Sequence, residues 1–443
     1  MLMATFVQTI PVPKTHSFFA SAVRVLGSNV AVMALAFISS ALIARKLGPA
    51  GQGMVTALLV YPIIFTSMAE MGIRQATVFH TGKKHFADRD MVGAILTLLV
   101  ISGVIGMAVC GVLITTLAPV RHATLLIALA ICYVPLKLII SYTSGYFLGK
   151  EHIGEFNRVT WLSELIRCLA VLLLVWGLTA GVPGAVAANL IGIGITAGYI
   201  LYRLSRQTPL IFRWNPAVLA GLLKIGVVYA VSLLLLQLNY QIHVVMLSHM
   251  SQTAQVGIYS LGMNLVIALW QLPNAVGIVL FARSANTEEN MEFTRDVLRL
   301  ARMAFLVVTA AALLLYALSG WLVPLIFGGA YIPSVTVIRM LLPIVVFFTV
   351  FRVLHMDLAG RGKPALVLFC TAPSLLLSVA IDWLLIPRYG ALGAAAAVTC
   401  GLGLATLIMI GIYCRQAGVS VLELLRYQKS DFAFLSRLRR NTA

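Results

Sequence analysis

Residues 122–149 read HATLLIALAICYVPLKLIISYTSGYFLG. About 20 apolar residues cross the roughly 30 Å hydrocarbon layer as a helix, and this stretch is longer than that and carries one charge, Lys137. An ammonium near the bilayer centre costs about 2.5–3.5 kcal/mol on insertion scales. Lys137 must therefore lose its proton, face water, or meet a carboxylate from another helix. No Asp or Glu lies in the stretch, and Tyr133 and Ser141, one turn to either side, can hydrogen-bond but not neutralise. Pro135 loosens the backbone beside it, which suits a helix lining a cavity.

The rest of the chain repeats this pattern. Of 443 residues, 60% are hydrophobic and only 10% charged, too few charges to clothe a soluble surface. Apolar spans are expected at about 18–44, 53–80, 91–118, 122–149, 156–180, 183–204, 220–247, 255–282, 298–319, 331–358, 364–386 and 390–414. The fold class is therefore all-α integral membrane, with about 12 transmembrane helices. The first span is too long for a signal-peptide core and reads as an uncleaved helix. The net charge of +18 would suggest nucleic-acid binding in a soluble protein. Here the basic residues fall in alternate loops, one side receiving Lys83, Lys84, Lys150, Arg203, Arg213, Arg283, Arg361 and the tail, the other only Arg45, Lys46, Arg121 and Arg388. The positive-inside rule puts both termini in the cytoplasm and leaves no nucleic-acid role. The six cysteines form no Cys-x-x-Cys pair, so neither a metal nor a disulfide framework is expected.

The chain also resembles itself. Gly181, Gly184, Ala185, Ala187, Ala188, Gly192 and Gly194 recur with the same spacing as Gly390, Gly393, Ala394, Ala396, Ala397, Gly401 and Gly403. Gly53 and Gly257 correspond more loosely. An offset of half the chain and six spans predicts two six-helix lobes of the same orientation, related by an axis along the membrane normal. The expected organisation is a cytoplasmic segment 1–17, an N-lobe 18–204, a linker 205–219, a C-lobe 220–414 and a basic cytoplasmic tail 415–443. The tail suits anionic head groups and equally suits ordinary topology bias.

Several other spans carry charge. Glu70 and Arg74 lie four apart, Glu164 and Arg167 three apart, and both spacings put the partners on one helix face. They can be internal salt bridges or can handle cargo and protons. Arg24 and Lys224 occupy equivalent places near the cytoplasmic ends of spans 1 and 7, where they either snorkel or furnish a basic vestibule. Arg352, His355 and Asp357 cluster near the cytoplasmic end of span 10, Asp357 being poorly placed to reach Arg352; Arg339 can snorkel outward. Gln271-Leu-Pro273-Asn274 interrupts span 8, as a kink satisfied by a neighbour or as a polar hinge facing sugar. Asn239 and His243 share a face of span 7, and His243 can titrate near neutrality. Asp382 is a lone carboxylate and a candidate proton site, with Glu70, Glu164 and His243. Lys137, Arg74, Arg167, Arg352, Arg24 and Lys224 are the candidate cationic lining of a hydrated chamber, with Tyr133, Asn239, Gln271, Pro273 and Asn274 as polar lining. Such a chamber suits an anionic cargo. No catalytic or nucleotide-binding motif occurs, so a transporter without cofactor is expected, not an enzyme.

Four stretches carry a family likeness. They are Ala44-Arg45-Lys46-Leu47-Gly48-Pro49 with Gly51-Gln52-Gly53; Gly149 with Asn157; Val256-Gly257-Ile258-Tyr259-Ser260 with Leu272-Pro273; and Leu385-Ile386-Pro387-Arg388-Tyr389-Gly390 with Gly393-Ala394-Ala395. Spread in order through almost the whole chain, they resemble the polysaccharide-repeat flippases, the Wzx-type branch of the multidrug/oligosaccharidyl-lipid/polysaccharide exporter superfamily. Asp382 departs from the pattern, since relatives often carry Asn there. The resemblance implies a bacterial inner-membrane protein that moves an oligosaccharide on undecaprenyl pyrophosphate from the cytoplasmic to the outer leaflet by alternating access with ion-gradient coupling. It also implies lipid and polysaccharide polymerase or chain-length machinery as partners. The competing readings are a cation-coupled multidrug exporter, against which the excess of buried cations argues, and a membrane glycan polymerase or ligase, which would need a large outer loop.

Overall fold

A computed structural model describes residues 15–117, 124–150, 152–286, 291–363 and 365–427. Most of the expected N-terminal segment, Arg121 and the tail beyond 427 lie outside the described residues, as does the side chain of Arg24. All the long elements are helices, and no strand occurs among the described residues. In order they are α1 (Thr15–Glu70), α2 (Ile73–Gly82), α3 (Asp88–Leu117), α4 (Thr124–Gly149), α5 (Ile153–Val171, continued by a π turn), α6 (Gly181–Ser205), α7 (Pro216–Met250), α8 (Thr253–Ala268), α9 (Gln271–Asn286), α10 (Met291–Phe327), α11 (Ile332–Gly360), α12 (Leu366–Tyr389), α13 (Ala391–Ala417) and the short α14 (Val421–Leu425). Among the described residues, nine helical stretches are long and apolar enough to cross a membrane. This is a multi-pass membrane protein.

Three local features interrupt the helices. First, α1 folds back at Gly48, whose φ of 67° is a left-handed value that glycine adopts without penalty. Gln52 donates to Ser40 Oγ at 3.4 Å, although 12 residues of straight helix would separate them by about 18 Å. Second, the returning arm breaks between Glu70 and Ile73, where Met71 (φ 45°) and Gly72 (φ 64°) are both left-handed. Third, α8 and α9 are one path interrupted at Leu269–Trp270, because Pro273 has no N–H to give the carbonyl of Leu269. α7 starts cleanly: Pro216 holds its first position, and the Asn215 side chain accepts from the N–H groups of Ala217 and Val218.

Helices α2–α6 pack mainly among themselves and with α1, and α9–α14 mainly among themselves and with α7 and α8, while α1, α7 and α8 pack about equally within and across the two groups. The internal repeat has a packing counterpart in each group. A Cβ on Gly192 would meet Ser163 O of α5 at 2.8 Å, and one on Gly401 would meet Ser374 O of α12 at 3.0 Å. Gly194 faces Leu136 of α4 at 3.7 Å, while Gly403 faces Ile344 of α11 at 3.8 Å. The first pair makes a close helix approach and the second an ordinary van der Waals contact, each against the corresponding neighbour.

The two groups meet through α1, α2 and α3 on one side and α7, α8 and α10 on the other. At the far face, where α7 ends, Gly53 and Gly257 touch reciprocally. A Cβ on Gly53 would lie 2.8 Å from Gly257 N and overlap Thr253 O; one on Gly257 would lie 3.1 Å from Gly53 N and overlap Pro49 O. Each glycine thus rests on the carbonyl four residues before the other. Nearby, Tyr61 Oη and His249 Nε2 share a hydrogen bond of 2.9 Å. Phe327 packs edge-on to Phe37 at 5.4 Å. Arg45 donates through Nε to Ile326 O at 2.6 Å and through Nη2 to Leu325 O, so a cation caps the carbonyl end of α10. At the linker face Arg213 pairs with Asp90 at 2.8 Å, and Gly226 of α7 lies against Met71 O, where a Cβ would come to 2.5 Å.

Candidate functional site

The expected cationic residues divide by what holds them. Arg167 donates to Glu164 through Nε at 2.9 Å and also through Nη2, one turn apart on α5 as the spacing requires. It is neutralised. The parallel expectation for Glu70 and Arg74 fails: the left-handed pair Met71–Gly72 ends α1 at Glu70, so the two do not share a helix face, and no ion pair joins them among the described residues. Arg74 instead lies over the ring of Phe156 of α5, 5.5 Å from its centroid.

Arg352 is held without a carboxylate. It donates to Asn274 Oδ1 of α9 and to Tyr240 Oη of α7, the latter at 2.9 Å. Its guanidinium sits 4.8 Å from the Trp270 ring centroid and 5.8 Å from that of Phe348. Its Nε is buried and has no hydrogen-bond partner among the described residues. Asp357 cannot help, since it is fully buried and engaged with Arg361 at 2.8 Å, Ser284 Oγ at 2.6 Å and Tyr413 Oη at 2.8 Å. His355 stacks on Phe351 at 5.9 Å. Arg339 lies over Tyr316 at 4.7 Å. Pro273 is buried and Gln271 exposed.

Lys137 is exposed and has no hydrogen-bond or ion-pair partner among the described residues. The direction of that exposure matters. The exposed apolar side of α4 carries Leu125, Ala128 and Cys132; Lys137 follows Ala128 by nine residues, about 180° around a helix. Lys137 therefore opens on the face opposite the lipid-suited stripe, with half-buried Tyr133 beside it. Lys224 of α7 is likewise exposed and unpartnered among the described residues.

Two polar residues turn out to be tied up. Asn239 donates to Leu235 O and Thr371 O and accepts from Ser374 Oγ at 3.1 Å, which fastens α7 to α12 and leaves it little to offer a cargo. Asp382 is not a lone carboxylate. Its Oδ2 lies 2.7 Å from His243 Nδ1, with both side chains buried, while Asp382 Oδ1 and the Tyr259 hydroxyl have no hydrogen-bond partner among the described residues. Sequence reasoning missed Trp270 and Tyr240. The signal for Trp270 was its place immediately before the Gln271–Asn274 interruption; none marked Tyr240.

A family model described as "Polysaccharide biosynthesis protein" matches residues 20–287. A Shigella flexneri protein named "Putative O-antigen transporter" is 24% identical over 410 residues, covering 87% of this chain and 95% of the relative. Among solved structures, the lipid II flippase MurJ in an inward closed conformation superposes with a TM-score of 0.74 at 11% identity, over 94% of this chain and 95% of that one. An inward-facing multidrug-resistance transporter of the MATE family gives 0.73 at 15% identity, over 94% and 98%. These two share the fold.

Proposed function

We propose that this chain, which belongs to the polysaccharide biosynthesis protein family, flips undecaprenyl-pyrophosphate-linked oligosaccharide repeat units from the cytoplasmic to the outer leaflet. Its relative in Shigella flexneri is named as an O-antigen transporter, and the cargo chemistry fits the charges. The supporting observation is that Lys137 and Arg352 have no carboxylate partner among the described residues. Holding such a cation costs about 2.5–3.5 kcal/mol. A diphosphate 4 Å away at an effective dielectric of 20 returns about 4 kcal/mol per pair of unit charges, so these cations suit an anionic cargo. A drug exporter for cations would find these residues repulsive.

In this reading the helix groups are lobes, 18–204 and 220–414, joined by the linker 205–219, with twelve passes, both termini and the linker face in the cytoplasm, and the whole in a bacterial inner membrane. Lys137, Arg74, Arg352 and Lys224 attract the diphosphate. Gln271 and Tyr133 meet sugar hydroxyls, and the break at Leu269–Trp270 supplies a hinge. Arg167 serves with Glu164 as a neutral pair. The buried His243–Asp382 pair is the candidate for proton coupling, and a polysaccharide polymerase takes the product. The test is export of surface polysaccharide by Lys137→Ala and Lys137→Arg at equal protein level. Alanine is expected to abolish export and arginine to keep a measurable part. Wild-type export by the alanine variant would overturn the charge argument.

A further inference from the structure

We infer that a cavity of about 580 Å³ at the seam between the two helix groups holds a stretch of the cargo's polyprenyl chain while the cations named above hold the diphosphate head. This rests on the function proposed above and adds a second contact to it. The cavity is lined by Met68 and Met71 beside the helix break, by Ile101 and Ile105 of α3, and by Leu219 and Leu223 of α7. Its few polar groups are already satisfied. Tyr142 Oη donates to Ala69 O at 3.0 Å and shares a hydrogen bond of 3.0 Å with Ser102. The remaining wall is methyl groups, ring faces and flexible thioethers, which suit a branched hydrocarbon.

Its placement separates a tail site from ordinary lipid contact. Leu98 and Val109 both line it, so it runs about 16 Å along α3. It starts beside Trp214, 71% exposed at the linker face, where an indole sits at head-group level. Two cations without carboxylate partners among the described residues adjoin the lining in sequence: Lys224, next to Leu223 of the lining, and Arg74, next to Ile73, whose guanidinium turns towards Phe156 of α5. A diphosphate carries charge for both; a phospholipid head with one negative charge does not. Both groups supply walls, and Gly226 of α7 presses on Met71 O. The cavity therefore changes shape when the groups move, and an occupant registers that movement.

The experiment uses the full-length protein in vesicles of phosphatidylethanolamine and phosphatidylglycerol. The probe is a polyprenyl diphosphate with a diazirine on an isoprene near the head; the comparator is phosphatidylglycerol with a diazirine in its acyl chain. After irradiation, the polyprenyl probe is expected to label the peptides around 68–73 and 98–109. Unlabelled polyprenyl diphosphate, and not excess phosphatidylglycerol, should compete. Ile105→Trp, which fills the cavity from an exposed position, should cut this labelling about tenfold, the effect of about 1.4 kcal/mol. Val100→Trp, exposed on α3 and turned at least about 100° from the lining residues of that helix, should leave it unchanged. Labelling that maps elsewhere, that phosphatidylglycerol displaces equally, or that Ile105→Trp leaves intact would overturn the inference. The two readings fail separately. If export survives Lys137→Ala while the seam is still labelled, the cargo mechanism falls and the tail site stands; if Lys137→Ala stops export and the seam stays unlabelled, the reverse holds.

Discussion

Replacing Gly257 by alanine tests whether the far-face seam sets the conformation. The added Cβ would lie 2.8 Å from Pro49 C and overlap Pro49 O, whereas non-bonded carbons settle at about 3.5–4.0 Å. The seam must therefore part by about 1 Å. Overpacking of this kind costs about 1–3 kcal/mol, and only while the seam is shut. Alanine in place of glycine also favours the helix by about 0.8–1.0 kcal/mol in every conformation. Thermal stability should thus change little, while the balance between shut and open far faces should move about 5–150-fold towards open. The assay is labelling of Gln52→Cys by a membrane-impermeant maleimide, with the native cysteines removed. Gln52 is 7% exposed, so the background should react slowly and the Gly257→Ala form quickly, with reduced export. The double change Gly53→Ala/Gly257→Ala should do little more than either alone, because one parting relieves both clashes. Slow labelling and normal export in a folded Gly257→Ala protein would refute the seam argument.

Three further outcomes follow from the charges. Arg352→Gln should lower export at least about tenfold and leave the fold intact, since Asn274 and Tyr240 lose a donor and not a counter-charge; cargo binding to purified protein measures it. Arg167→Gln should destabilise the protein by about 1–3 kcal/mol, because it leaves the partly buried Glu164 unpaired, and Glu164→Gln on that background should recover most of the loss in a thermal melt. Asp382→Asn should weaken the dependence of transport on an imposed proton gradient in vesicles while leaving cargo binding unchanged. An unaltered gradient response would remove the His243–Asp382 pair from the coupling mechanism.

The helices were legible because membrane spans depend on composition over about 20 residues, which a chain displays openly. The Glu164–Arg167 pair was legible for a related reason: both ends sit on one uninterrupted helix. Glu70 and Arg74 have the same kind of spacing and no such continuity, since two left-handed residues intervene, and Gly72 was the only hint. His243 and Asp382 are 139 residues apart, so nothing local could join them. The cradle around Arg352 draws on α7, α9 and α11, and such convergence follows from packing and not from periodicity. The glycine repeat was readable as symmetry; that Gly53 and Gly257 lie on each other was not.

The neutral cradle of Arg352 also bears on how quickly the carrier can turn over. Aromatic faces and amide or phenol oxygens already satisfy part of its field, at about 0.5–2 kcal/mol for a cation over a ring, so an arriving phosphate meets a softened charge. A bare guanidinium would hoard its passenger, and one locked to a carboxylate would refuse it. Between those extremes lies a grip firm enough to load and loose enough to hand off, which a shuttle needs and a storage site does not.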